Sequence, residues 1–217
     1  MKLAFAHNVY NRPKTLNETI RIERELYPDS TISVAYNNCI IENHFLSGIK
    51  YIYYPQESHK IGCTNGFILS IRNIIDSDFD VCCFSHDDVR ISNINVFKRN
   101  LDFILNNEFD IICRTPGGDF GNKYIMMECV FFNKKTIVKI FENLKPFNNE
   151  FEIPVDHRGS ISPEVWFGNL LYDSGLKMKL YITPEVKQEY YNSMLNEIMG
   201  FEHLNSGIRG WDDNFKI

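Results

Sequence analysis

Apolar residues along the chain follow two alternating patterns. Leu3 to His7 is a short, mainly apolar run that suits a buried strand. Asn11-Arg12-Pro13 interrupts it, and Pro13 is well placed to open a helix running to about Leu26. Leu16, Ile20 and, less regularly, Leu26 would share one face of that helix. Tyr27-Pro28-Asp29-Ser30 is a turn, and the β-branched, apolar stretch Thr31 to Tyr36 predicts a second strand. Ile49 to Tyr54, ended by Pro55, predicts a third. Gly62 to Ile75 carries Ile68, Ile71 and Ile75 at helical spacing. The run from Asp80 to Phe84 is continuous and bounded by turn signals, the pattern of a strand covered on both faces.

The first hundred residues therefore read as strand, helix, strand, short helix, strand, helix, strand. That order predicts right-handed crossovers and an α/β fold with a mainly parallel sheet. Ligands of such sheets sit beyond the carboxyl ends of the strands. This draws attention to Asn8 to Arg12, Asn37-Asn38, Pro55 to Gly62 and Ser85 to Asp88.

The second half predicts a helix over 94–105, a strand over 109–114 and a Gly-rich loop, Pro116 to Asn122. A strand over 124–132 and a helix over 134–144 come next. Ser162-Pro163-Glu164 has a capping residue followed by a first-turn proline, so another helix opens there. A strand over 177–182 and a helix from about Pro184 to Met199 complete the series. The 217 residues suit one domain with two halves, 1–114 and 115–217, and are enough to bury a sizeable core.

Composition narrows the function classes. The formal charge is −5, which disfavours a nucleic-acid partner because such a protein needs a basic face. A nucleotide ligand stays open, since a bound cation reverses the local sign. No stretch approaches the roughly 20 apolar residues of a membrane span, and the N-terminal run is short for a signal-peptide core. The six cysteines form no CxxC pair, and Cys82, Cys83, Cys113 and Cys129 fall in apolar strand-like runs. They read as free thiols of a soluble, cytoplasmic protein in a reducing compartment.

The strongest chemical feature is Ser85-His86-Asp87-Asp88-Val89-Arg90, at the end of the predicted central strand. Adjacent carboxylates there suit a hard cation such as Mg²⁺ or Mn²⁺. Two carboxylates about 4 Å from a diphosphate would repel it by about 4 kcal/mol per charge pair at an effective dielectric near 20. A divalent cation turns this into attraction and stabilises a leaving diphosphate. Acidic residues also simply end strands in surface turns, and the spacing alone does not separate the two.

With the order of elements before it, this segment resembles the DxD region of the GT-A glycosyltransferases. The resemblance covers residues 1 to about 132 well and the remainder loosely. It implies a GT-A, Rossmann-like fold with a mixed, mainly parallel central sheet flanked by helices. The first half would bind the sugar nucleotide and the second the acceptor. Asn8 and Arg12 match the loop that touches the nucleoside, and Lys60, Gly62 and Asn65 match the stretch that opens the helix before the DxD strand. Asp88 takes the last position of the motif. His86 then takes the first, a departure from the family, with Asp87 between them. The resemblance implies Asp88, His86 and a C-terminal histidine, His203, as metal ligands, Asp87 beside the donor, and Mn²⁺ or Mg²⁺ as cofactor. Arg209 would pair with phosphate. Glu164 is the first candidate for the acceptor-side acid or base and Asp156 the second. Asp119, in the Gly-rich loop, could bind sugar hydroxyls. That loop joins two strands, so it is not a Rossmann phosphate cradle. Trp166, Tyr190, Tyr191 and Trp211 would stack on an acceptor glycan.

The implied activity is transfer of a sugar from a nucleoside-diphosphate sugar to a glycan or glycoprotein hydroxyl. The family's habit of pairing DxD with UDP favours a UDP-sugar. Similar compact enzymes occur in bacteria and in large DNA viruses, where the host cytoplasm would be the setting. Two other readings stay open. A sugar-nucleotidyltransferase would want a Gly-rich signature after the first strand, and His7 to Thr15 contains no glycine. A non-catalytic glycan-binding module would bind sugar without nucleotide or metal.

Overall fold

The computed structural model describes residues 1–9, 12–37, 45–55, 58–116, 124–183 and 188–204, with 188–192 as backbone. In chain order the elements are β1 (Leu3–Val9), α1 (Pro13–Leu26), β2 (Thr31–Tyr36), β3 (Ile49–Tyr53), α2 (His59–Arg72), β4 (Val81–His86) and β5 (Val89–Ile91). Then come α3 (Ile94–Leu105), β6 (Ile111–Thr115), β7 (Met126–Asn133), α4 (Lys134–Phe141), a 3₁₀ turn (Glu150–Glu152), α5 (Pro163–Asp173), β8 (Met178–Ile182), α6 (Gln188–Ile198) and β9 (Phe201–His203).

Seven strands form one mixed sheet in the order β3-β2-β1-β4-β7-β6-β8. Of these, β7 alone runs against the rest, antiparallel to both β4 and β6. All other neighbours are parallel. This is the mainly parallel α/β sheet that the periodicity predicts. The single reversal follows from a short connection between β6 and β7, since a parallel return needs a crossover of a dozen residues or more.

Side-chain alternation along the strands divides the core into two layers. Ala4, Ala6, Cys82, Phe84, Val130 and Phe132 face α2, α4 and α5. Phe5, Val34, Val81, Cys83, Cys129 and Phe131 face α1, α3 and the end of α6. Adjacent residues of β4 thus contribute to opposite layers, which is why its sequence is apolar without a break. Helix caps follow the local sequence. Ser58, Asn93, Asn133 and Ser162 each accept a hydrogen bond from the amide three residues on, at the starts of α2, α3, α4 and α5.

Helix α2 is buried on nearly every side and packs closely on β1 and β2. Small residues permit the approach. A Cβ at Gly66 would lie 2.2 Å from Asn8 Oδ1 and 2.4 Å from Tyr54 Oη. Gly66→Ala is therefore expected to destabilise the fold by about 1–3 kcal/mol through overpacking, read as a lower urea midpoint with unchanged m.

The boundaries depart from the sequence pattern at several places. β1 continues past His7 to Val9, and β4 past Phe84 to His86. Helix α2 starts at His59 rather than Gly62 because Ser58 caps it, and it ends at Arg72, before Ile75. Helix α4 stops at Phe141. The short strands β5 and β9, which pair antiparallel apart from the main sheet, were not expected, since three residues carry no readable period. The expected short helix between β2 and β3 falls largely on residues outside those described.

Candidate active site

The carboxyl ends of β1 and β4 lie side by side, with Asn8 opposite His86 in register. Past β4 the chain turns at Asp87-Asp88, both buried, and enters β5. Strand β9 pairs with β5 so that Val89 is opposite His203, and the amide of Leu204 donates to the carbonyl of Asp88 at 2.7 Å. This ribbon carries His203 Nε2 to 3.6 Å from Asp88 Oδ1. The turn entering β9 needs glycine. Gly200 has φ +82°, and a Cβ there would meet Phe97 N at 2.6 Å and Asn93 O at 2.8 Å.

Arg12 stands at the N-cap position of α1, facing the same turn. A guanidinium has no acceptor, so it makes no side-chain cap and is left to reach outward. Its Nη1 donates to Asp88 Oδ2 in an ion pair, while its Nε is enclosed without a hydrogen-bond partner among the described residues. Asp88 thus has Arg12 on one oxygen and His203 beside the other. His86 Nε2 is likewise enclosed without a partner among the described residues. Burial, the largest influence, lowers the pKa of His86 and favours neutral imidazole, against the opposing pull of Asp88 and Glu128.

A cavity of about 260 Å³ opens beside this cluster. His59, Lys60 and Cys63 of α2 form one wall, His86 and Met127 another, and the segment from Asp156 to Glu164 the third. Glu164 sits in the first turn of α5 and accepts a hydrogen bond from Ser162 Oγ at 3.1 Å. Lys60 Nζ donates to the carbonyl of Ile161, tying α2 to that third wall. Asp156 also lines the cavity, but its carboxylate is committed to its own turn. It accepts from the amides of Ser160 and Arg158 and from the Arg158 guanidinium. Those bonds, led by the Ser160 amide, hold its pKa down at about 2. Cys63 is opposite in character, its thiol pushed up to about 12, chiefly by burial and further by Glu164, Asp87 and Asp88.

The structure therefore gathers Arg12, Asp88 and His203 in one cluster and Lys60, His86, Asp156 and Glu164 around one cavity. Three other expected binding residues make hydrogen bonds within the protein. Asn8 accepts from Tyr54 Oη at 2.8 Å and donates to the carbonyl of Cys63. Gly62 gives its carbonyl to the same tyrosine. Asn65 bonds both backbone groups of Phe147, each at 2.8 Å. Asp119, Arg209 and Trp211 lie outside the described residues, as do the side chains of Tyr190 and Tyr191. Trp166 is buried against Phe147. Some charged pairs carry no signal in the sequence. Arg114 and Glu128, on neighbouring strands, form a buried ion pair that also engages Thr183. Arg114 sits inside an apolar run and looks like a strand terminator, so only the β6–β7 pairing reveals the partnership.

Among the described residues, no group of three or more His, Cys, Asp or Glu side chains is gathered closely enough to hold a metal on its own. The donors at hand are compatible with a cation completed by substrate. One carboxylate and one imidazole lie 3.6 Å apart, and a second imidazole has an enclosed, partnerless nitrogen nearby. Mg²⁺ in particular is commonly held by one or two carboxylates together with substrate phosphates.

This architecture is a mixed α/β fold shared with several solved structures. No family profile matches the sequence, and no curated protein does. Among solved structures, the chain is similar to the inositol-1-phosphate CTP transferase from T. maritima, with a TM-score of 0.50 at 12% identity over 97% of this chain and 98% of that one. It is also similar to residues 1–349 of S. aureus TarS, with a TM-score of 0.51 at 12% identity over 91% of this chain and 64% of that one. A glucose-1-phosphate thymidylyltransferase from Bacillus anthracis gives a TM-score of 0.51 at 10% identity over 83% and 87%. At these identities the likeness is one of fold. No described helix is long and apolar enough to cross a membrane.

Proposed function

We propose that the chain is a glycosyltransferase that moves a sugar from a nucleoside-diphosphate sugar, UDP being the favoured nucleotide, to a hydroxyl of a glycan or glycoprotein. The observation that carries this reading is the meeting of Asp88, His203 and Arg12 at the end of β4, beside a cavity that Glu164 lines. Asp88 and His203 would hold Mn²⁺ or Mg²⁺ together with the donor phosphates, with the His86 imidazole nearby, and the cation when bound would neutralise the departing diphosphate. Arg12 adds a fork of donors for phosphate oxygens. The cavity takes the donor sugar, with Lys60 fixing the spacing of its walls. Glu164 removes the proton of the attacking hydroxyl, and Ser162 orients its carboxylate. Asp156, with its oxygens already engaged, shapes the wall.

A second reading, nucleotidyl transfer from a nucleoside triphosphate to a sugar phosphate, is favoured by the near full-length match to the CTP transferase. Against it, the segment His7 to Thr15 contains no glycine.

Thermal unfolding with UDP, GDP, dTDP and CTP, each with Mn²⁺ or with EDTA, separates the readings on wild type and Asp88→Ala. A ligand at 100 times its dissociation constant adds about 2.7 kcal/mol, roughly 5–10 °C for a chain of this size. The expected result is a Mn²⁺-dependent shift with UDP that is lost in Asp88→Ala. A shift with CTP alone supports nucleotidyl transfer. No shift with any nucleotide rejects both and leaves a sugar-binding module.

A further inference from the structure

Asp88 has two oxygens, and the chain places a group of its own against each: the Arg12 guanidinium on Oδ2 and the His203 imidazole beside Oδ1. Both ion-pair partners are largely enclosed, with the Arg12 side chain 15% and the Asp88 side chain 10% exposed. Among the described residues, Arg12 Nε is moreover buried without an acceptor. Such a donor is costly to leave unmade, so this arrangement suits a second state in which the guanidinium meets a fuller set of oxygens. A cation that ligates Asp88 through Oδ2 competes directly with Arg12.

We infer that Arg12 is an exchange latch on Asp88, a proposal that rests on the metal-dependent reading above. In the resting protein the guanidinium serves as the cation of the site. Arrival of a divalent ion on Asp88 displaces it, and the released guanidinium is then free to bind donor phosphate. The exchange couples the two ligands: cation binding frees the phosphate-binding arginine, and phosphate, by drawing the arginine away, uncovers the carboxylate. By linkage each ligand tightens the other by the same factor. The latch also keeps the Asp88 carboxylate neutralised until a cation takes its place.

Mn²⁺ affinity, read by electron paramagnetic resonance of the free ion, tests this without any turnover. It is measured on wild type, Arg12→Gln, Arg12→Lys and Asp88→Asn, each with and without UDP, after thermal melts confirm folding. Without UDP, Arg12→Gln is expected to bind Mn²⁺ about tenfold more tightly than wild type, and Arg12→Lys to fall between them. UDP is expected to tighten Mn²⁺ binding to wild type by a factor within the roughly 5- to 150-fold range usual for coupled sites, and to Arg12→Gln by much less. Unchanged or weaker Mn²⁺ binding in Arg12→Gln, with binding still lost in Asp88→Asn, overturns the latch and leaves the metal site standing. Mn²⁺ binding that survives Asp88→Asn, or is absent from every variant, overturns the metal site and the latch with it. Should Arg12→Gln fail to fold, the comparison of Arg12→Lys with wild type decides, equal affinity and equal coupling being the negative result.

Discussion

Replacing Glu164 with Gln is expected to lower turnover by roughly 10²- to 10⁴-fold while leaving nucleotide affinity within about threefold. Glutamine keeps the length of the side chain and can still accept from Ser162 Oγ, which lies 3.1 Å from the carboxylate. It also stays compatible with the first turn of α5, where Ser162 caps the helix. What it loses is basicity at the cavity wall. Glu164 makes no contact with Arg12, Asp88 or His203 among those observed, so donor binding should persist. The measurement is single-turnover transfer or donor hydrolysis with the nucleotide sugar identified by thermal shift, alongside its dissociation constant. Equal losses in affinity and rate would mean that Glu164 binds substrate rather than moving a proton. A rate within a few-fold of wild type would place the base elsewhere.

The largest stability effect is expected at Glu23. This carboxylate and His7 are essentially inaccessible to solvent, with His7 Nε2 2.9 Å from Glu23 Oε2 and His7 Nδ1 3.1 Å from Ser85 Oγ. The other oxygen, Oε1, is enclosed without a partner among the described residues. Glu23→Ala should cost about 2–4 kcal/mol, since it leaves His7 Nε2 unpaired and opens a void beneath α1. Glu23→Gln should be close to neutral at acid pH, because it replaces a carboxyl group with an amide of the same shape. The pH dependence follows from burial, which pushes the Glu23 pKa above its ordinary value near 4.5, against the opposing pull of His7. The folded state therefore holds this proton more tightly than the unfolded chain. Below the unfolded value both states are protonated, and Glu23 contributes its full stability. As the pH rises through the raised folded value that contribution is lost. Wild type should thus lose stability relative to Glu23→Gln as the pH climbs from 4 to 8, measured as the difference in urea midpoints. A difference that stays flat, or reverses, would mean that the pair is held as an ion pair throughout.

The fold was legible where period and punctuation were strong. Thr31 to Tyr36, Pro13 to Leu26, Ile94 to Leu105 and the cap at Ser162 all form at or near the expected bounds. The continuous apolar run ending near Phe84 identified the central strand, because only a strand covered on both faces is apolar at every position. The pairing of β7 against its neighbours was not legible, since alternation shows that a strand exists and not which way its neighbours run.

For the candidate site, the sequence by itself determined which residues have the needed chemistry and that Asp87-Asp88 follows a central strand. Those are local properties, set by residue type and by the order of elements. Only the tertiary structure decided which of them meet. His203 reaches Asp88 because a three-residue strand pairs with another more than a hundred positions away. Arg12 reaches it because β1 and β4 are neighbours in the sheet. Packing of α2 on the sheet engaged Asn8 and Gly62 with Tyr54, a distant contact tied Asn65 to the Phe147 backbone, and a local turn took up the Asp156 carboxylate. A polar side chain in a loop looks the same in sequence whether it faces a ligand or a backbone amide. The difference lies in what the fold places opposite it.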